Sequence, residues 1–302
     1  MKVMKKHLAA MLAVPMSVGI TVALVLSGSA QGGTAASTGP AATAAGSTAV
    51  DRGVFQIKCR LSHRAPDDPI VAPRDPGAAH MHEFFGNVST DAFTTTRRLT
   101  SRGTTCARQQ DKAAYWAPTL YRDGRRVEPN LMIAYYRTGQ LRDPSVIRPY
   151  PLGLRMIAGD GHATRPQSRM VTDWGCDGDG PNGTSDTPPS CPDNPLRLRI
   201  IFPNCWDGKR LDSADHKRHM AYSYRHTRQC PASHPVALPT LKLHFRYDIR
   251  GSLDGLTLAS GSRFSGHGDF WNAWRPATLR QLVQRCLLAF RTCNSPSLPP
   301  MG

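Results

Sequence analysis

Apolar and basic positions alternate most cleanly along Leu241-Lys242-Leu243-His244-Phe245-Arg246-Tyr247. Successive side chains on a strand point to opposite faces. Leu241, Leu243, Phe245 and Tyr247 are therefore expected on a buried face, with Lys242, His244 and Arg246 on the other. Leu196 to Phe202, Leu131 to Tyr136 and Val54 to Cys59 are further strand candidates, and Pro149 and Pro203 mark where pairing should stop. Helical spacing stands out near the end, after Pro276. There Leu279, Leu282, Val283, Cys286, Leu287 and Phe290 form one stripe, with Arg280, Gln284, Arg285 and Arg291 on the solvent side. Such a helix is expected to cap a sheet. Periodic segments are otherwise short and broken by 25 prolines and 26 glycines. The pattern predicts a mainly β fold with a few short helices, a loop-rich β-sandwich or jelly-roll-like domain.

The first residues follow a different pattern. Lys2, Lys5 and Lys6 precede an apolar run from Leu8 to Leu26, and Gly28-Ser29-Ala30 supplies small residues for cleavage. Residues 1–30 read as a signal peptide, and Pro15 and Gly19 inside the run favour processing over an uncleaved N-terminal anchor. Residues 31–50, rich in Ala, Gly, Ser and Thr, read as a disordered spacer. A single domain over 51–296 and a Pro/Ser-rich tail over 297–302 complete the division. The expected location is outside the cell, with no membrane contact after cleavage.

Eight cysteines lie beyond the signal, an even number suited to disulfides in an oxidising compartment. Pairing sequence neighbours gives Cys59–Cys106, Cys176–Cys191, Cys205–Cys230 and Cys286–Cys293, one of many connectivities that eight cysteines permit. No C-x-x-C pair supports a zinc ribbon. The formal charge of +16 draws the chain toward anionic partners. A nucleic-acid role lacks the basic run with interleaved aromatics that it needs. Also missing are a G-x-S-x-G elbow, a P-loop, a dinucleotide fingerprint and an H-E-x-x-H helix. Asp177 to Asn182 resembles the start of a calcium loop without its later ligands, and reads better as a hairpin loop closed by Cys176 and Cys191.

Histidine is the side chain that most readily binds metals or exchanges protons near neutral pH, and here it falls into three acid-flanked clusters. In the first, His80-Met81-His82-Glu83, an extended backbone puts both imidazoles on one face, and Asp67 and Asp68 can fold back to orient either ring. The second runs from Cys205 to Tyr222. It holds Trp206, Asp215 as an orienting carboxylate, and His216 and His219, which meet if the turn is helical. The third, His267-Gly268-Asp269-Phe270-Trp271-Asn272, sets its histidine between glycines, with Trp271 and Trp274 as platforms; Asp160 is an outsider.

These residues also carry a resemblance. DDPIV (67–71), PGAAHMHEFFGN (76–87), AAYWAPTL (113–120), GLRMIAGD (153–160), FPNCWDGKRLDSADHKRHMAY (202–222), CPASHPV (230–236) and GHGDFWNAW (266–274) resemble the DUF1996 family of secreted actinobacterial and fungal domains. The resemblance spans essentially 54–293. It implies an extracellular setting, sometimes beside carbohydrate-binding modules of the WSC type, and supplies no activity. Glu83 follows the second histidine where His is common, which weakens any site needing a third imidazole there.

The leading reading is a domain that binds or cleaves extracellular or cell-wall polysaccharide, neutral or anionic, as a monomer with no assigned cofactor. Its catalytic candidates are His82, Asp215, His216, His219, Tyr222, His267 and Asp269, and its substrate-binding candidates are Asp68, His80, Trp206, Trp271 and Asn272. The chemistry would be hydrolysis by a carboxylate pair or β-elimination, with His216 or Tyr222 as base. The alternative is a non-catalytic structural or metal-binding wall protein, with His80, His82, His216 and His219 holding a divalent metal such as zinc or copper.

Overall fold

The computed structural model describes residues 53–179, 183–250 and 252–299. The expected signal segment and spacer lie outside the described residues, as do 180–182 of the calcium-like loop and the end of the tail. The described residues belong to one compact unit, Ser47–Gly302.

Two sheets stack face to face. The larger has six strands in the order Thr292–Cys293, Val54–Cys59, Pro129–Arg137, Thr240–Tyr247, Leu196–Ile201 and Thr172–Cys176. All its pairs are antiparallel except the first. The second, wholly antiparallel, runs Leu61–Ala65, His82–Gly86, Ala114–Pro118, His267–Trp271 and Arg155–Gly159. The alternation over 241–247 sorts as expected: Leu241, Leu243, Phe245 and Tyr247 are fully buried, while Lys242, His244 and Arg246 are half-exposed. Facing residues interdigitate between the sheets, with Phe85 on Phe245 and Phe202 on Phe270 at centroid distances of 5.4 and 6.4 Å. Gly268 makes room for this approach, since a Cβ there would stand 3.3 Å from Ile200. The result is mainly β and sandwich-like, with few short helices and no barrel.

All four sequence-neighbour disulfides form: Cys59–Cys106, Cys176–Cys191, Cys205–Cys230 and Cys286–Cys293. The C-terminal helix departs from expectation at its end. Pro276–Leu282 is α-helical, and a π-helical turn over Val283–Leu288 follows. Leu279, Val283, Cys286 and Leu287 reach the core. Phe290 does not; the helix has ended, and a backbone φ of 53° turns this residue into solvent.

Candidate metal centre

The five-stranded sheet has two different faces. One carries Phe85, Tyr115 and Phe270 into the main core. The other carries His82, Phe84, Trp116, His267, Asp269 and Trp271, since residues two apart share a face. Cross-strand register sets Phe84 beside Trp116, Trp116 beside Asp269, and Asp269 beside Ile157. A small apolar cluster of Ile70, Phe84, Leu99, Trp116 and Trp271 forms on this face. The loop at 67–81 roofs it and brings Asp68 and His80 to the same place.

His82 and His267 begin strands that stand two places apart, roughly 10 Å. Their rings nevertheless lie only 5.7 Å apart, leaning together beside Pro118, which pairs with His82. The His80 ring completes the group, 4.2 Å from His82 and 5.0 Å from His267. Nitrogens of His80, His82 and His267 lie within 4.8 Å of one another, and so do atoms of Asp68, His82 and Asp269. Two triads thus share His82.

The hydrogen bonds fix what these groups present. His82 Nδ1 sits 2.9 Å from the Asp67 carbonyl, and His267 Nδ1 sits 2.8 Å from the Ser265 carbonyl. A carbonyl only accepts, so each Nδ1 carries the proton and each Nε2 keeps a lone pair. The Nε2 atoms of His82 and His80 are buried without a partner among the described residues. Asp67 secures the roof, its carboxylate accepting from Gly77 and Ala92 backbone amides. One oxygen of Asp68 accepts from the amides of Ile70 and Val71, leaving the other for the site. Both oxygens of Asp269 are buried with no donor. Gly161 lies flat against His267, where a Cβ would stand 3.2 Å from Cε1.

Burial, then the neighbouring imidazole, pushes His82 and His267 down to about 3. Burial lowers His80 as well, against the pull of Asp68. Burial raises Asp269 well above the carboxylate range; Asp68 adds to the shift and Lys217 opposes it. Three neutral imidazoles therefore meet in one triad, and a carboxyl lacking donors joins His82 in the other. A cation placed there reverses the electrostatics and favours every ionised carboxylate.

The second histidine motif does not join this group. His216 has φ 57°, so the expected helical turn is broken and His216 and His219 turn to different partners. His216 Nδ1 meets Asp212, not Asp215, at 3.0 Å. His219 spans Ser213 Oγ and the Arg155 carbonyl. Asp215 accepts from Ser213 and from the amides of Lys217 and Arg218, which hold its carboxyl well below the usual range. Tyr222 donates to the Ile201 carbonyl, and burial of its hydroxyl raises its pKa, so it holds its proton at neutral pH. The motif walls a cavity of about 240 Å³, where Lys217 and Tyr222 face Ile157, Gly159 and Gln167. Lys217 Nζ reaches the Gly159 carbonyl.

The tryptophans are not open platforms. Trp271 is buried and donates to Thr96, Trp274 is buried against Tyr136, and half-buried Trp206 donates to the Arg210 carbonyl. Asn272 binds the carbonyls of Tyr150 and Pro151, away from the histidines. One residue escaped sequence reasoning: exposed His162 lies close enough to His80 to oppose its protonation. Asp160-Gly161-His162 repeats the composition of His267-Gly268-Asp269 in reverse order, a signal that was available.

Comparison with curated proteins and with solved structures finds no match. A family model described as a domain of unknown function (DUF1996) matches residues 68–274, more than half of the chain and the whole span from Asp68 to Asp269, and the chain belongs to that family.

Proposed function

We propose that this domain binds a divalent transition-metal ion through His80, His82 and His267, with Asp68 and Asp269 as oxygen donors. The observation that carries the proposal is the buried convergence of imidazole lone pairs with a carboxylate that no protein group satisfies. Buried polar groups in folded proteins normally have partners, and this set lacks only a cation. Two ionised carboxylates balance a doubly charged ion, and mixed nitrogen and oxygen donors suit borderline metals such as zinc, iron, cobalt or copper. The Asp67 and Ser265 carbonyls orient two of the rings, as outer hydrogen bonds do for metal-bound histidines. Elemental analysis of the protein reconstituted with such ions should find about one ion per chain. His82→Ala and His267→Ala should each lower affinity at least roughly 100-fold while keeping the fold. Absence of measurable uptake by the folded wild-type protein would refute the site.

The finer part of the proposal is that the domain is exported and acts on polysaccharide, an acidic one in particular. Four disulfides support an oxidising compartment. Among the described residues no helix is long and apolar enough to cross a membrane. Without the signal lysines Lys2, Lys5 and Lys6 the chain keeps 35 basic against 22 acidic residues, and this positive charge and the Lys217-bearing cavity support an anionic polymer. The check is a panel of acidic and neutral polysaccharides offered to metal-loaded and chelated protein. Retention or cleavage of acidic polymers is expected, stronger with metal; equal indifference to the whole panel sinks this part.

A further inference from the structure

The five candidate ligands are unequally covered. His82, Asp269, Asp68 and His267 are 0, 1, 5 and 6 % exposed, whereas His80 is only half-buried. The centre therefore lies nearest to solvent on the His80 side, although the His80 Nε2 atom itself is buried. Structural metal sites are closed by protein ligands, whereas a metal site that does chemistry keeps a position open. The fold gives no reason for a closed structural ion. The main core lies on the other face of the sheet, and four disulfides brace the chain independently.

Gly161 packs against the His267 ring, and exposed His162 follows it on a turn that is firmly built. Asp160 Oδ1 accepts from the His162 amide at 2.9 Å. The Gln167 side chain accepts from the Asp160 amide at 2.9 Å and donates to the carbonyls of Asp160, Phe264 and Gly266. One amide thus ties the His162 turn to the loop that delivers His267. The rings of His63, His216, His219 and His234 are committed to hydrogen bonds. The His162 ring has no such partner among the described residues.

We infer that the metal keeps one exchangeable coordination position on the His80 side, and that His162 hydrogen-bonds the ligand that fills it. The ligand is a water molecule or the carboxylate of an incoming acidic compound. This inference rests on the proposed metal site and says what that site is for: ligand exchange at the ion, not bracing of the fold.

The experiment uses the folded chain loaded with Co²⁺ or Cu²⁺, with azide as a small anionic probe followed by visible absorption. Azide should produce a saturable new band. His162→Gln should keep about one ion per chain and the wild-type affinity for it, yet weaken azide roughly tenfold, the worth of one hydrogen bond to a charged group. If the loaded protein shows no spectral response to azide, the coordination sphere is closed and the inference falls, while the metal site stands. Equal azide affinity in wild type and His162→Gln removes the role of His162. Failure to take up any ion overturns the metal site and this inference together.

Discussion

Asp111 is fully buried at the end of a chain of four side chains. The Trp274 indole donates to the Tyr136 hydroxyl at 2.9 Å, Tyr136 meets Tyr115 at 2.6 Å, and Tyr115 donates to Asp111 Oδ2 at 2.8 Å. An indole only donates, so the relay has one consistent direction and Asp111 is its terminal acceptor. Burial nonetheless pushes the Asp111 carboxyl up to about 7, against the pull of Tyr115 and the Ala113 amide. The folded state therefore holds a proton that the unfolded chain releases near pH 4. Stability from this group is fully present below about pH 4 and is lost as pH rises through about 7, with a slope approaching 1.4 kcal/mol per pH unit. Asp111→Asn, which has no proton to release, should flatten that slope. Denaturant unfolding of both proteins between pH 4 and 8, with disulfides intact, reads the difference; identical slopes would mean that Asp111 is ionised in the folded state.

At the scale of elements, legibility depended on how many faces of a strand are covered. Thr240–Tyr247 has one face in the core and one half-exposed, so its sequence alternates and its place in the fold could be read directly. The strands that carry the candidate site do not alternate. His82–Gly86, Ala114–Pro118 and His267–Trp271 are buried at every position, because the small apolar cluster covers the face that the main core does not. Burial on both faces erases period two, and the sheet that builds the site was invisible to periodicity. Its chemistry was legible by another route. His80, His82 and His267 stood out as histidines in short acid-flanked clusters, with Asp68 and Asp269 as carboxylates near them. His216 and His219 stood out equally and do not join them. Their turn passes through a left-handed residue that spacing alone did not reveal, and Asp212, three positions before Asp215, takes the His216 ring.

At the scale of the molecule, the placement of the candidate site decides what metal removal should do. The sandwich core joins residues of all six strands of the larger sheet to the inner face of the smaller one, and disulfides close loops at both ends of the described chain. None of this passes through His80, His82 or His267. The site draws on a separate cluster and on the 67–81 loop, which Asp67, Asp68 and their backbone partners pin to the sheet. Chelation should therefore leave the sandwich folded, with near-ultraviolet circular dichroism largely unchanged. A bound ion still stabilises the folded state by mass action, about 2.7 kcal/mol when free metal is 100 times its dissociation constant. For a domain of this size that corresponds to a fall in Tm on chelation of roughly 5–10 °C. Amide exchange should rise first in the roof at 67–81, because removing the ion returns Asp269 to its protonated form and leaves the Nε2 atoms of His80 and His82 buried without a partner beneath that loop. Global unfolding on chelation would instead make the ion part of the scaffold. It would also contradict the separation of the two clusters on which the reading of an exchangeable, solvent-facing metal depends.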